Sequence, residues 1–389
     1  MENYLLPTYN RAPVSFVKGD GIWLEAADGS KYLDLASGIA VNILGHCNES
    51  LVAALITQAK ELWHTSNLYR ISNQEKLAET LVRNTFSDVV FFTNSGTEAT
   101  ECAIKMARKF HTHTGKKRNE IISFGGSFHG RSIGAISTSD SSKMTEGFGP
   151  LLPGCKSINL SDKNLIIDSI SESTAAVMIE PIQGEGGINV VPDATLNLLR
   201  KLCDQHGTLL IFDEVQCGMG RTGKLFAHEW SGIFPDIMTS AKGIGGGMPL
   251  GACLATNSAA RGMGLGSHGS TYGGNPLACA VGNEVLNQVL AEDFLPNVRK
   301  ISGYWSQQLA GLVATYDSVF DAVKGTGLML GLKTKVNNQV FVEEAFKNNL
   351  LLVPAADNTV RILPPLNIKK SEVDLAINLL KKSAEGLIS

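Results

Sequence analysis

Two stretches of this chain end on groups that could act together. Asp213 follows the apolar run "TLLIF", and Lys242 follows "DIMTSA" just before a glycine-rich stretch. In an open α/β sheet, ligands sit beyond the carboxyl ends of the strands. If both runs are adjacent strands, a carboxylate and an amine face one crevice. A lysine with a suppressed charge can attack an aldehyde, and a carboxylate can hold a cation beside it. The plainer alternatives are a carboxylate that caps a turn and an amine in solvent.

The residues after Asp213 invite two other readings. In "IFDEVQCGMGRTGKL", Gly218 to Lys224 fits the phosphate loop of nucleotide hydrolases, and Gly218, Gly220 and Gly223 fit the dinucleotide fingerprint. Both fail on context. Leu225 stands where the first needs a Ser or Thr hydroxyl for Mg²⁺. Both loops should leave their strand directly and open a helix, whereas Asp213 to Cys217 intervene and "LFAHEW" is a poor helix start.

A third feature supports the carboxylate and amine. "TNSGTEATECAIKMARKF" places Gly96 and Thr97 at the opening of a helix, and Ser95 and Glu98 have capping-box spacing. Free backbone N–H groups and the helix dipole there favour a phosphate, although the same residues could form an ordinary capped helix. Pyridoxal phosphate needs all three groups: a lysine bound as an imine, a carboxylate at its ring nitrogen and a phosphate cradle.

The elements that must position these residues alternate. "LVAALITQAKELWH" and "SNQEKLAETLVRN" have helical spacing, and "GIWLEAADGSKYLDL" predicts a hairpin turning at Asp28 and Gly29. Seven short apolar runs follow: "VVFFTNSG", "EIISFGG", "CKSINL", "AAVMIEPI", "TLLIFDEV", "DIMTSAK" and "LGACLATN". They predict a mostly parallel seven-stranded sheet covered by helices on both faces, an α/β fold. Beyond residue 285, "VLNQVLAEDF" and "VRKISGYWSQQLAGLV" read as helices, then short strands at "LMLGLKT", "LLLVP" and "VRILPP", and a last helix from Ser371 with Asp374 as its cap signal. The expected division is an N-terminal segment, 1–50, joining a small domain; a large cofactor-binding domain, 51–285; and a small α+β domain, 286–389.

Composition narrows the partners. The net charge is −3, which gives no reason to expect nucleic acid or an anionic membrane. The basic run Lys116, Lys117 and Arg118 reads as a solvated loop. Seven scattered cysteines without a C-x-x-C fit a reducing cytosol rather than a disulfide framework. No apolar run is long enough for a membrane span, and the start of the chain lacks the apolar core of a signal peptide. His111 and His113 have no partners at metal-ligand spacing, so no metal is expected. His129, beside Phe128, reads as a local hydrogen-bonding group.

With Asp213, Lys242, Gly96 and Thr97 in hand, the chain resembles the class III pyridoxal-phosphate aminotransferases. "SGTEA", "FHGR", "EPIQGEGG", "DEVQCGMGRTG", "SAKGIGGGMPLG" and "HGSTYGGNP" carry the resemblance, in the family's order and over nearly the whole chain. On "ASGIAVNILGH", "FHGRS" and "RILPPL" it is most similar to the acetylornithine aminotransferases. The resemblance implies fold type I of the pyridoxal-phosphate transferases. It also implies transfer of the δ-amino group of N-acetylornithine to 2-oxoglutarate, giving glutamate. Related ω-amino donors (succinylornithine, ornithine, succinyldiaminopimelate, 4-aminobutyrate) remain open.

The same resemblance assigns residues. Lys242 carries the cofactor and then moves the proton; Asp213 pairs with the ring nitrogen; Gln216 sits by the ring oxygen; Val215 and Phe128 sandwich the ring. Arg131 takes the acyl-donor carboxylate. Arg361 takes the α-carboxylate of glutamate, and Glu185 masks it for the other substrate. Ser270 contacts substrate and Thr271 contacts phosphate from a neighbouring subunit, which implies a homodimer. The family's usual His-Pro after Gly-His-x is missing in "GHCNES".

Overall fold

The structure, a computed structural model, describes residues 4–388. All seven apolar runs form one sheet. In spatial order its strands are Val89–Thr93, Gly251–Ala255, Ile237–Ser240, Leu209–Asp213, Thr174–Ile179, Glu120–Phe124 and Cys155–Ile158. Neighbours run parallel except at Gly251–Ala255, which is antiparallel to both of its partners. The reason is the connection. A parallel return needs a crossover of a dozen or more residues, usually a helix. The link from Ser240 to Gly251 contains one short 3-10 turn, Lys242–Gly245.

The alternation of side chains explains why the runs are apolar throughout. Ile211, Met178, Ile121 and Ile237 pack on one face against Cys102, Ala103, Met106 and Phe110 of the helix Gly96–His113. Phe212, Val177, Ile179 and Phe124 pack on the other face against Leu196, Leu199 and Cys203 of the helix Asp193–His206. Each such side chain contributes roughly 1.5–3 kcal/mol of burial. Covered on both faces, the sheet leaves only its strand ends for chemistry.

A second sheet holds Phe320–Thr326, Met329–Thr334, Thr359–Ile362 and Val353–Ala355, all antiparallel. The helices Phe294–Thr315, Asn338–Lys347 and Lys370–Glu385 accompany it. The hairpin at Asp28 and Gly29 forms as expected between Trp23–Ala26 and Lys31–Asp34. Lys31–Asp34 also pairs in parallel with Leu350–Leu351, which ties the N-terminal strands to the C-terminal part.

Two local expectations need correction. The last helix starts at Lys370, and its cap acceptor is Glu372, whose Oε2 receives the Lys369 N–H at 2.7 Å. Asp374 instead accepts a hydrogen bond from the Tyr304 hydroxyl. Arg118 is buried rather than solvated, because Nη1 donates to the carbonyl of His206 at 2.6 Å. Arg361 lies on an inner strand between Met329–Thr334 and Val353–Ala355.

Candidate active site

Asp213 ends its strand in register with Thr239 of the parallel neighbour Ile237–Ser240, and Lys242 follows two residues beyond that neighbour's end. Asp213 is 3 % exposed, and both of its oxygens are engaged. Oδ1 accepts from the Val215 N–H at 3.0 Å and the Thr239 hydroxyl at 3.1 Å. Oδ2 meets His129 Nδ1 at 2.7 Å. The carboxylate therefore does cap a turn, and it is also fixed in direction by a side chain from another strand end. His129 is fully enclosed. Burial alone lowers its basicity, but the Asp213 hydrogen bond and charge, with the charge of Glu180, outweigh burial and raise it above the ordinary imidazole value.

Lys242 adopts φ 51°, a left-handed backbone that costs a non-glycine residue about 1–3 kcal/mol. Such strain collects at functional positions. Burial pulls its amine down from the usual lysine range. Glu185, Asp213 and Glu180 oppose that pull, and Arg361 adds to it. A lysine with less charge is a better nucleophile.

Lys242 lines a cavity of about 440 Å³ together with Asn94, Ser95, Gly96, Thr97, Phe128, Arg131, Asp213, Val215 and Gln216. That volume suits a small organic ligand. Gly96 and Thr97 open the helix Gly96–His113, and Ser95 caps it by accepting the Glu98 N–H at 3.4 Å. Among the described residues no acceptor meets the N–H groups of Gly96 and Thr97, which leaves them for an anion. A Cβ on Gly96 would come within 2.9 Å of Val215, so only glycine lets the helix end approach that wall. The Thr97 hydroxyl is used differently: it accepts from the N–H groups of Arg131 and Ser132 at 3.1 Å and so anchors the next turn.

The two arginines differ in condition. Arg131 is exposed, lies with its guanidinium 5.4 Å from the centre of the Phe128 ring, and pairs with no carboxylate among the described residues. Arg361 is 2 % exposed and forms an ion pair with Glu185. It also donates to the Pro354 carbonyl at 3.1 Å and to Gln216 Oε1 at 3.4 Å. Gln216 thus joins this pair to the wall of the Lys242 cavity.

Ser270 and Thr271 are not brought into that cavity. The Ser270 hydroxyl accepts from the Gly273 N–H at 2.9 Å and lies 3.3 Å from Asn94 Nδ2. Thr271 is exposed on the loop before the helix Pro276–Val289.

The glycine-rich loop has a packing role. Gly220 and Gly223 take φ 86° and 88°. Cβ atoms there would crowd Leu295 and Leu366 at the first position and Arg299 at the second. Arg221 is fully buried and donates to the carbonyls of Leu328 and Pro364. The loop is the surface on which the C-terminal part docks.

Sequence reasoning missed His129, Thr239 and Glu180 as members of this site. His129 was read as a local group, yet its partner lies 84 positions away. The one available signal was position: His129 and Glu180, like Asp213, sit near the ends of apolar runs.

Known proteins match along nearly the whole chain. The family profile described as Aminotransferase class-III matches residues 5–383. An acetylornithine aminotransferase from Rhodobacter capsulatus is 55% identical over 98% of this chain and 98% of its own. The crystal structure of N-acetylornithine aminotransferase from Stenotrophomonas maltophilia K279a superposes with a TM-score of 0.85, at 37% identity over 97% of each chain. An amine transaminase from an uncultivated Pseudomonas species, solved in its PLP-bound form, superposes with a TM-score of 0.90, at 30% identity over 99% of each chain. A profile match over residues 5–383, with relatives about half identical along the whole chain, makes this protein a member of the class III aminotransferases.

Proposed function

We propose that this chain transfers the δ-amino group of N-acetylornithine to 2-oxoglutarate, with pyridoxal phosphate as its cofactor. The donor set fits that cofactor: free N–H groups at Gly96 and Thr97 for a phosphate, the buried Asp213 carboxylate for a ring nitrogen, and the Lys242 amine for an aldehyde. When bound, the cofactor supplies a carbonyl carbon for an incoming amine and a conjugated ring that accepts electrons.

The remaining roles belong to the chain. Lys242 would hold the cofactor through its amine and, once freed by the incoming substrate, would move the proton. Burial suppresses its charge, which raises the share of free amine able to take up a proton. Asp213, directed by His129, Thr239 and Val215, would face the ring nitrogen and favour its protonated form. Phe128 and Val215, which line the cavity, would flank the ring, and Gln216 would donate from Nε2 to its oxygen.

The observation that carries the reading is the unlike state of the two arginines. Arg131 is open at the cavity and fits a donor carboxylate far from the reacting δ-carbon. Arg361 is already paired with Glu185, and that pair can stay closed for a donor with no carboxylate next to its reacting carbon. Glutamate brings such a carboxylate and displaces Glu185. Values of kcat/KM for N-acetylornithine, N-succinylornithine, ornithine and 4-aminobutyrate, each with 2-oxoglutarate, test this. N-acetylornithine should exceed ornithine by roughly tenfold or more, since ornithine sets an unmasked ammonium in the donor pocket. A preference for ornithine or 4-aminobutyrate would overturn the assignment.

The exposed Thr271 and its loop support a homodimer in which each chain completes the other's site. Mixing Lys242→Ala chains with Thr271→Val chains should then restore activity through hybrids holding one intact site. Proven subunit exchange without recovery would count against shared sites. Seven cysteines without a disulfide fit a reducing compartment such as the cytosol.

A further inference from the structure

We propose that Glu180 is a positioning residue whose single carboxylate locks the turn carrying Phe128, His129 and Arg131 to the turn carrying Glu185. The donor side and the dicarboxylate side of the site would then move as one unit. This rests on the two-arginine reading above.

Glu180 follows the strand Thr174–Ile179 and is 4 % exposed. Its Oε2 accepts from the Phe128 N–H at 3.0 Å, and its Oε1 accepts from the Gly184 N–H at 3.3 Å. The two donors lie on different turns, one leaving Glu120–Phe124 and one leading into Glu185. No lysine or arginine forms an ion pair with Glu180 among the described residues. A buried carboxylate without a cation is costly, so its retention calls for a use.

Gln183 also joins the two turns, its Nε2 donating to the Gly125 carbonyl at 2.9 Å and to Ser127 Oγ at 3.3 Å, and Glu180 adds the link between Phe128 and Gly184. The Phe128 turn is fixed at its far end by Thr97 and at His129 by Asp213. The Glu185 turn is held by the Arg361 ion pair and by the Ala356 N–H, which donates to the Glu185 carbonyl at 2.9 Å. Gly184 has no room for a Cβ, which would sit 2.2 Å from Gln216 Oε1. A small shift of this turn is therefore felt at Gln216 and at Arg361.

A carboxylate is the group that suits this position, because it accepts at both oxygens and donates at neither. Glutamine would set an NH₂ against one of the two N–H groups. Burial works against the ionised form, and the two backbone N–H groups, with His129, are what favour it. Burial raises the Glu180 carboxyl to about 7; the nearby Asp213 charge adds to this, while His129 and the two backbone N–H groups oppose it. Lys242 and Cys217 also lie within its electrostatic reach.

The test uses the full-length chain, with and without cofactor. In Glu180→Gln, amides of residues 126–131 and 182–186 should exchange about tenfold faster, as expected for one lost hydrogen bond. Amides of Thr174–Ile179 should not change. Apparent KM for N-acetylornithine and for 2-oxoglutarate should both rise about tenfold, with kcat changed less than KM. The effect of Glu185→Gln on the ratio of the two half-reactions should also shrink in the Glu180→Gln background, because coupled residues are not additive. If Glu180→Gln does not fold, Glu180→Asp serves, since its shorter arm reaches only one turn. Wild-type protection in both turns, or strict additivity with Glu185→Gln, would overturn the proposal. Should another donor be preferred while both turns loosen, the function assigned above falls and the role of Glu180 stands.

Discussion

Asp213→Asn should leave a protein that folds and takes up cofactor but turns over roughly 10²- to 10³-fold more slowly, the usual loss when a preorganised charge is removed. The surroundings make the reason specific. Asp213 offers two oxygens to three groups: Val215 N–H, Thr239 O–H and His129 Nδ1. Asparagine has one oxygen. Oriented toward Val215 and Thr239, it turns its NH₂ toward His129, which must then accept at Nδ1. The imidazole loses the partner that raises its basicity, and the ring nitrogen of the cofactor loses its counter-charge. Cofactor affinity should change far less, because Lys242 and the Gly96 helix end remain. Stopped-flow turnover and cofactor titration separate the two effects. Wild-type turnover would reduce Asp213 to a turn cap.

Arg361→Ala should damage the glutamate half-reaction by about 10²-fold or more, and the acyl-donor half-reaction by less than about tenfold. Removing one partner of a buried, hydrogen-bonded ion pair costs about 2–5 kcal/mol where that pair's binding role is used. Glutamate and 2-oxoglutarate need the guanidinium fork, and lysine could not reproduce its two-point contact. The donor does not need it, since Glu185 covers Arg361 in the closed pair. Glu185 is about one-third exposed and can turn to water when Arg361 is lost. Single-turnover absorbance of each half-reaction gives the two rates independently. Equal losses in both would assign Arg361 a structural role and remove the switch.

Much of the frame was readable from pattern. The seven strands could be found because each is a short apolar run ended by glycine, a charge or a polar turn. Strand direction was not readable, since Gly251–Ala255 has the same composition as its parallel neighbours and only the short link reveals its return. Asp213 and Lys242 stood out because neighbouring strands place their following residues together. Glu180 and His129 did not, because their partners are set by register between strands 52 and 84 positions apart in sequence. Arg118 was misread for the same reason: the carbonyl that buries it lies 88 residues on. The glycines after Asp213 could be rejected as a phosphate loop from context, but their docking role needed the positions of Leu295, Arg299 and Leu366.

The central claim is that Lys242 holds the cofactor in the cavity between Asp213 and the Gly96 helix end. Borohydride reduction of the pyridoxal-phosphate-loaded protein, followed by peptide mapping, tests it most directly. The account predicts one phosphopyridoxyl group per chain, on Lys242, with loss of activity in step with labelling. A label spread over surface lysines, or a fully active protein with Lys242 unmodified, would contradict it.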